Sequence, residues 1–562
     1  MKHTKQHGIL LAACMLAASC MAPFSVLADQ LPGCLPWGDA DCSGKVDVAD
    51  AVLVARFCAE DALATITDTG RANADVNGDR NLDSADMQEI LEYIAKKRIE
   101  FSVMTQQQPA EKLTKTENLM DGLTRSAQSG KQADDAFRVS QYDLTASLLK
   151  EVSKKEEPGN NVMISPFSFS QALSMAANGA KGNTQDELTK LLGGDLSMDD
   201  LNQYYSGYAA NLPQSEKAKL DIANAIWFID DDNKIKVPQN YLQTTKDYFD
   251  SDVFRSPFNR QTVDDINGWV KEKTHDMIPE LIDSLDPASV MMLVNAVYFD
   301  AEWKKPYEDF QVHERWFFLS EGADYQADYE ELGPYPPDAF PWSWPGVWDG
   351  SPYDEPSGTD ISEQQPDVPS QPAESENGKA VRAKLMSSQE SIYLENDSMT
   401  GFMRPYAGEG YSFVGLLPKA DKTVQECIAN MTGESLKELF ASKELCDVTA
   451  AIPKFSSDYS VDLIPVMAAL GVKDAFDPSA ADFTGLNEIP PTWINKVLQK
   501  TRIEVDEKGT RAAAATGIGM GGGGMLQTKD VILDHPFIYM IVDNKTELPL
   551  FIGYVMKPEW QE

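Results

Sequence analysis

The chain has 562 residues, with 88 acidic against 49 basic side chains and a formal net charge of −39. Its length is enough for two to four domains, and its acidity excludes nucleic acid and anionic membrane surfaces, which would repel it. Seven cysteines, spread from Cys14 to Cys446, imply no disulfide framework, and a chain this long does not need one.

Residues 1–28 read as a secretory leader. Lys2 and Lys5 precede an apolar stretch from Ile9 to Met21, and Val26-Leu27-Ala28 offers small side chains for cleavage before Asp29. Ala17-Ala18-Ser19-Cys20 is a weaker pattern for a lipid-modified cysteine, because the usual leucine is missing. Cleavage after Ala28 removes Cys14 and Cys20 and leaves an odd set: Cys34, Cys42, Cys58, Cys427 and Cys446. No later run is apolar enough to span a bilayer, so the chain is expected outside the cell and without a membrane span.

Residues 33–98 carry a duplicated acidic loop. Asp39, Asp41, Ser43, Asp47 and Asp50 place oxygen side chains at positions one, three, five, nine and twelve, with Gly44 at the sharp bend. Asp75, Asn77, Asp79, Asp83 and Asp86 repeat the spacing, and Lys45 and Asn81 are placed to offer backbone carbonyls. An amphipathic helical stretch follows each loop, Val52 to Phe57 and Met87 to Ile94. Arg80 stands where the second loop wants glycine, which predicts a weaker second site. Two such units closed by Asp resemble a dockerin type I domain. The resemblance implies a small α-helical module with two bound Ca2+ ions. It further implies docking onto a cohesin domain of a scaffold protein, cellulosome-type, through Val48, Ala49, Ser84 and Ala85.

Residues 99–134, with Gln106-Gln107-Gln108-Pro109, read as a linker that leaves the C-terminal part of the chain free to swing. Beyond it come Asn161-Val162-Met163-Ile164-Ser165-Pro166-Phe167-Ser168, Asn178 to Thr184, and Asn295-Ala296-Val297-Tyr298-Phe299 with Trp303. From about 321 to 377 the chain is strongly acidic, with Phe340, Trp342, Trp344 and Trp348 crowded together and a Pro-rich tail from Pro356 expected to be disordered. Two readings of these aromatics stay open: they pack on the body of the protein, or they form a contact surface.

Glu507-Lys508-Gly509-Thr510-Arg511, then Ala512, Ala513, Ala514, Ala515 and Thr516, describe a loop able to become a β-strand. Small side chains suit a strand threading between neighbours, and Thr510, Ala512, Ala514, Thr516, Ile518 and Met520 would share one uncharged face. Asp534-His535-Pro536-Phe537 and Pro549 to Gly553 come after it. This ordered set resembles the serpins over roughly residues 135–562, interrupted by the acidic insertion.

The resemblance implies an α+β serpin fold with three β-sheets, about nine helices and an exposed reactive loop. It implies a protease inhibitor rather than an enzyme, with no catalytic residue: a serine protease cleaves the loop, is held as a covalent acyl complex, and is trapped as the loop inserts into sheet A. Glu507, Gly509, Thr510 and the segment to Thr516 would be the hinge, with Gly509 its flexible entry and Thr510 to Thr516 the segment that inserts; Trp303 would be the breach, and Ser165 and Ser168 the shutter, where Gln499 replaces the usual histidine. Counting from Glu507 puts the cleaved bond at Gly523-Gly524; counting back from Pro536 gives Met525-Leu526. Neither offers Arg or Lys, so an elastase-like or subtilisin-like protease is expected, and the inhibitor is expected to act as a monomer. The competing reading is a non-inhibitory serpin serving as a binding or structural module on the scaffold.

Overall fold

The computed structural model describes residues 37–560 apart from 44, 60, 62–63, 78–80, 96–114, 127–129, 232–233, 287–288, 337–373, 376 and 511–527. The chain divides into two compact units, Met1–Lys112 and Leu113–Glu562.

In the first unit, α1 (Val48–Cys58) and α3 (Ser84–Ile94) flank a short α2 (Asp68–Ala74). Both long helices begin in the same way: Asp47 or Asp83 caps the first turn, and Asp50 or Asp86, three residues on, returns a bond to the capping residue's N–H. Ala51, Val54, Ala74, Val76 and Ile90 close a small core between them.

The second unit holds ten of the thirteen α-helices found among the described residues. These are α4 (Asp135–Ser153), α5 (Pro166–Gly179), α6 (Gly182–Gly193), α7 (Met198–Ala210), α8 (Gln239–Phe249), α9 (Arg260–Lys273), α10 (Gly322–Leu332), α11 (Val424–Asn430), α12 (Gly433–Ala441) and α13 (Ile464–Ala469). The count exceeds the expected nine by one, and α10 belongs to the acidic insertion. Its Tyr325, Tyr329 and Leu332 pack against Trp316, Phe318 and Ala380. This much of the insertion is part of the body; Phe340, Trp342, Trp344 and Trp348 lie outside the described residues.

Among the described residues two sheets form, where the family resemblance implies three. One has seven strands in the order β1 (Glu117–Asn118), β4 (Asp252–Ser256), β3 (Ala218–Ile229), β5 (Met291–Glu302), β13 (Gly509–Thr510), β12 (Val497–Val505), β11 (Phe455–Asp462). The other runs β14 (Thr528–Ile532), β10 (Glu444–Pro453), β7 (Ala380–Glu395), β8 (Met399–Pro405), β9 (Tyr411–Pro418), β15 (Phe537–Asp543), β16 (Pro549–Val555), β2 (Val162–Ile164), with β6 (Val312–Phe318) on β7. The two sheets expected here merge because β7 is 16 residues long: Ala380–Met386 pairs with β6, Leu385–Tyr393 with β10, and Tyr393–Glu395 with β8. Helix α9 lies on the seven-stranded sheet, where Val263, Ile266, Trp269 and Val270 meet Trp227, Phe254, Met292 and Val294.

The expected linker does not extend to 134. β1 pairs antiparallel with β4, and the Leu119 N–H donates to the Val253 carbonyl at 2.7 Å. Thr116 donates to Asp265 of α9, Arg125 to Ser206 of α7, and the Ser126 N–H to Asp247 of α8. Polar side chains make the segment look solvated, yet they serve as donors to the body while Met120 enters its core. Met120→Ala is expected to cost about 2–5 kcal/mol, as for other buried large-to-small changes, read as a lower thermal midpoint; a wild-type midpoint would mean the segment does not belong to the folded body.

Candidate functional site

β5 and β12 run parallel at the centre of the seven-stranded sheet, but they pair only where Leu293–Ala296 meets Val497–Lys500. Beyond that point β5 continues on β3 and β12 on β11, and among the described residues Val297–Asp300 has no ladder partner in Thr501–Glu504. The result is a slot four residues long, about 13 Å, that fits one more strand.

At the head of the slot sits β13. Gly509 and Thr510 pair with Glu302 and Ala301 on one side, and Thr510 with Val505 on the other. Thr510 is fully buried, and its hydroxyl meets the Tyr406 hydroxyl at 2.6 Å. The sequence suggests that Thr510 enters the sheet only on insertion; it is already seated. Gly509 suggests flexibility, but the structure requires it for space: a Cβ there would lie 2.1 Å from the Ala301 carbonyl oxygen. A tight turn leads in, in which the Asp506 carboxylate accepts from the N–H groups of Lys508 and Gly509 at 2.7 and 3.1 Å. Burial raises the Asp506 carboxyl above its ordinary pKa against these two bonds.

Trp303 holds this turn from below. Its indole N–H donates to the Asp506 carbonyl and its backbone N–H to the Lys508 carbonyl, both at 2.8 Å. Its ring stacks on Tyr406 with centroids 4.5 Å apart, and the Arg404 guanidinium lies over both Trp303 and Tyr307. Arg404 is buried and paired with Glu390, and Glu507 pairs with Lys454 at 2.9 Å.

The closed end of the slot is fastened by an uncharged network. Gln499 accepts from the Ser165 N–H at 2.9 Å and donates to the Ser165 carbonyl and the Asn295 side chain. Asn295 in turn donates to Ser168 and Asn224, while Ser165 donates to the Leu550 carbonyl and caps α5. Every member is buried, with Gln499 contributing from β12. Asn224, Asn295, Tyr406 and Arg404 are functional residues that sequence reasoning misses. The available signal is an asparagine inside each of the apolar runs Ile222–Phe228 and Met291–Phe299, which the register places opposite one another.

Residues Ala512, Ala513, Ala514, Ala515 and Thr516, and both candidate bonds Gly523-Gly524 and Met525-Leu526, lie outside the described residues.

In the first unit, carboxylate oxygens of Asp39, Asp41 and Asp50 lie within 4.8 Å of one another. Asp50 accepts from the N–H groups of Asp41 and Asp47, and Asp86 from the corresponding Asn77 and Asp83, so the closing Asp of each loop is held in the same way. Burial pushes Asp86 up to about 7 and raises Asp50 as well. A hard, all-oxygen donor set with buried carboxylates fits a calcium ion, which would supply the missing charge. Asp79 lies outside the described residues. Ser43, Lys45, Asn81, Val48, Ala49, Ser84 and Ala85 are exposed, and Val48 is flanked one turn on by an exposed Val52.

Comparison with known proteins agrees with this geometry. The profile of the Serpin (serine protease inhibitor) family matches residues 139–329 and 370–558, and that of the Dockerin type I domain matches 37–95. The chain therefore belongs to the serpin family and carries a dockerin type I domain ahead of its serpin domain. Among individual proteins, it is 28% identical to the pig (Sus scrofa) leukocyte elastase inhibitor over 72% of this chain and 95% of that one. It is 26% identical to an uncharacterised serpin-like protein of Thermococcus kodakarensis, over 74% and 84%. The native-state crystal structure of tengpin, a thermophilic serpin, superposes with a TM-score of 0.65 at 35% identity, covering 79% of this chain and all of that one.

Gly509→Ala is expected to leave the fold intact but expel β13 from the sheet, seen as faster hydrogen exchange at Thr510. Tyr406→Phe should leave the buried Thr510 hydroxyl without its partner, costing about 1–3 kcal/mol. Unchanged exchange at Thr510 in both variants would count against the seating of β13 between β5 and β12.

Proposed function

We propose that the chain is a secreted suicide inhibitor of serine proteases, held on a cohesin-bearing scaffold outside the cell by its dockerin. The observation that carries this reading is the unfilled slot between β5 and β12, with Thr510 already at its head and a loop of small side chains next in the chain. When a protease serine attacks the scissile carbonyl, the amine leaves and an ester joins protease and inhibitor. Freed at that end, the loop can run down the slot, each ladder bond netting about 0.5–1.5 kcal/mol. The protease is carried along before water reaches the ester. No side chain of the inhibitor performs chemistry; its contribution is a strand that moves faster than deacylation.

Specificity depends on the residues at the candidate bonds. Gly523-Gly524 and Met525-Leu526 suit a protease with a small or apolar binding pocket, elastase-like or subtilisin-like, a reading in keeping with the name of the pig relative. A trypsin-like pocket, with its buried carboxylate, would find no cation to receive. In the dockerin, Asp39 to Asp50 and Asp75 to Asp86 would each hold a calcium ion, whose charge offsets the crowded carboxylates. The exposed Val48-Ala49 and Ser84-Ala85 pairs would then face the cohesin.

Thr510→Arg places a charge where the wild-type side chain is fully buried, at a cost of several kcal/mol. The variant should be cleaved as a substrate with little or no complex stable to denaturing electrophoresis, and undiminished trapping would rule out insertion through this slot. Chelation should abolish cohesin binding while leaving protease trapping intact. Calcium affinity should also weaken as pH falls below about 7, because Asp86, raised by burial, must give up its proton to bind the ion. Calorimetric titration at several pH values would reveal a flat profile if that proton is not involved.

A further inference from the structure

The segment after β16 does something that a free chain end would not. The Ser456 N–H and hydroxyl both donate to the Glu559 carbonyl, at 2.6 and 3.1 Å, so the segment is tied as a single bridge onto β11, the outer strand of the seven-stranded sheet. This brings the Trp560 ring to 4.5 Å from the Lys454 ammonium. Lys454 occupies the single residue between β10 and β11, where the chain passes from one sheet to the other, and only 11% of its side chain is exposed. Its ammonium pairs at 2.9 Å with Glu507, the residue that opens the turn into β13. Glu507 is also held through its backbone, its carbonyl accepting from the Tyr307 N–H at 2.8 Å, and Lys384 adds a second positive charge to its surroundings.

An ammonium with three donors on a four-carbon stem has no preferred direction of its own. Here one side faces a carboxylate and another the face of an indole, whose negative quadrupole attracts the cation and keeps water from that side. We infer that Trp560 is a positioning residue for loop insertion: it fixes Lys454 over Glu507, and so holds the Asp506–Gly509 turn as a rigid pivot that keeps Thr510 at the head of the slot. Trp560 touches neither the protease nor the inserting residues and acts wholly through Lys454. The inference rests on the inhibitory reading for its consequence, since a loosened pivot delays insertion and gives the acyl bond longer to hydrolyse, but it does not rest on that reading for its geometry.

The experiment compares the intact chain with its Trp560→Ala and Trp560→Phe variants against two probe enzymes, pancreatic elastase and subtilisin. Loss of a cation–π contact of this kind is expected to raise the number of inhibitor molecules consumed per protease about two- to five-fold, with the association rate constant unchanged and the Phe variant restored. Hydrogen exchange of the Lys508, Gly509 and Thr510 amides, measured on the uncleaved protein, should accelerate in Trp560→Ala alone. A tryptophan that merely adds stability would lower the thermal midpoint and leave both quantities at their wild-type values, which would overturn the inference. If the wild-type chain traps neither protease, the inhibitory reading fails; exchange at 508–510 still decides this one, faster exchange upholding the pivot and wild-type exchange overturning it. Should Trp560→Ala not fold, Trp560→Leu keeps the apolar cover, removes the π face and carries the same comparison.

Discussion

The rest of the structure turns on the parting of β5 from β12. Two adjacent strands at the centre of a sheet would ordinarily pair along their whole length, since each buried backbone group left without a partner costs about 1–3 kcal/mol. Here they pair for four residues and then diverge around residues that are themselves buried, Val297 and Phe299 on one strand and Thr501 and Ile503 on the other. Something has to keep them from closing. At one end the backbone of Gly509 and Thr510 stands between them; at the other the Gln499, Ser165 and Asn295 bonds hold the last paired residues in place. The ladder is left unfilled at the centre of the sheet, and the elements at its two ends hold the strands in that state.

The same sheet has two outer edges, and both are covered. β1 closes the β4 edge, and the Ser456–Glu559 bridge closes part of the β11 edge. An exposed sheet edge invites pairing with another chain, and these short additions cover part of both edges. They also join elements distant in sequence: the strand at 117–118 reaches α7, α8 and α9 through the residues around it.

Legibility in the sequence tracks the length scale of each signal. The duplicated acidic loop and the serpin motifs are local patterns whose spacing is set by a single turn or strand, and the dockerin and serpin domains they point to are readable at once. The slot, in contrast, is defined by register between strands some 200 residues apart, which no local pattern encodes. Gly509 shows the difference well: the sequence suggests freedom of rotation, whereas the structure shows that a methyl group would collide with the Ala301 carbonyl. Arg404 and Tyr406 sit in and just after an ordinary-looking strand and acquire meaning only when Trp303 is laid against them. The stretch from Thr116 to Ser126 reads as solvated because its residues are polar, although polar residues are what an edge strand needs to bond to the body.

That Gln499 carries a carboxamide has a consequence for the conditions under which this network holds. A carboxamide has the same donor and acceptor pattern at every acidity a living environment offers, whereas an imidazole can take up a second proton and lose its acceptor nitrogen. The fastening at the closed end is therefore indifferent to protons. These bonds persist from neutral to mildly acid surroundings, and whatever acid sensitivity the whole chain possesses must arise elsewhere.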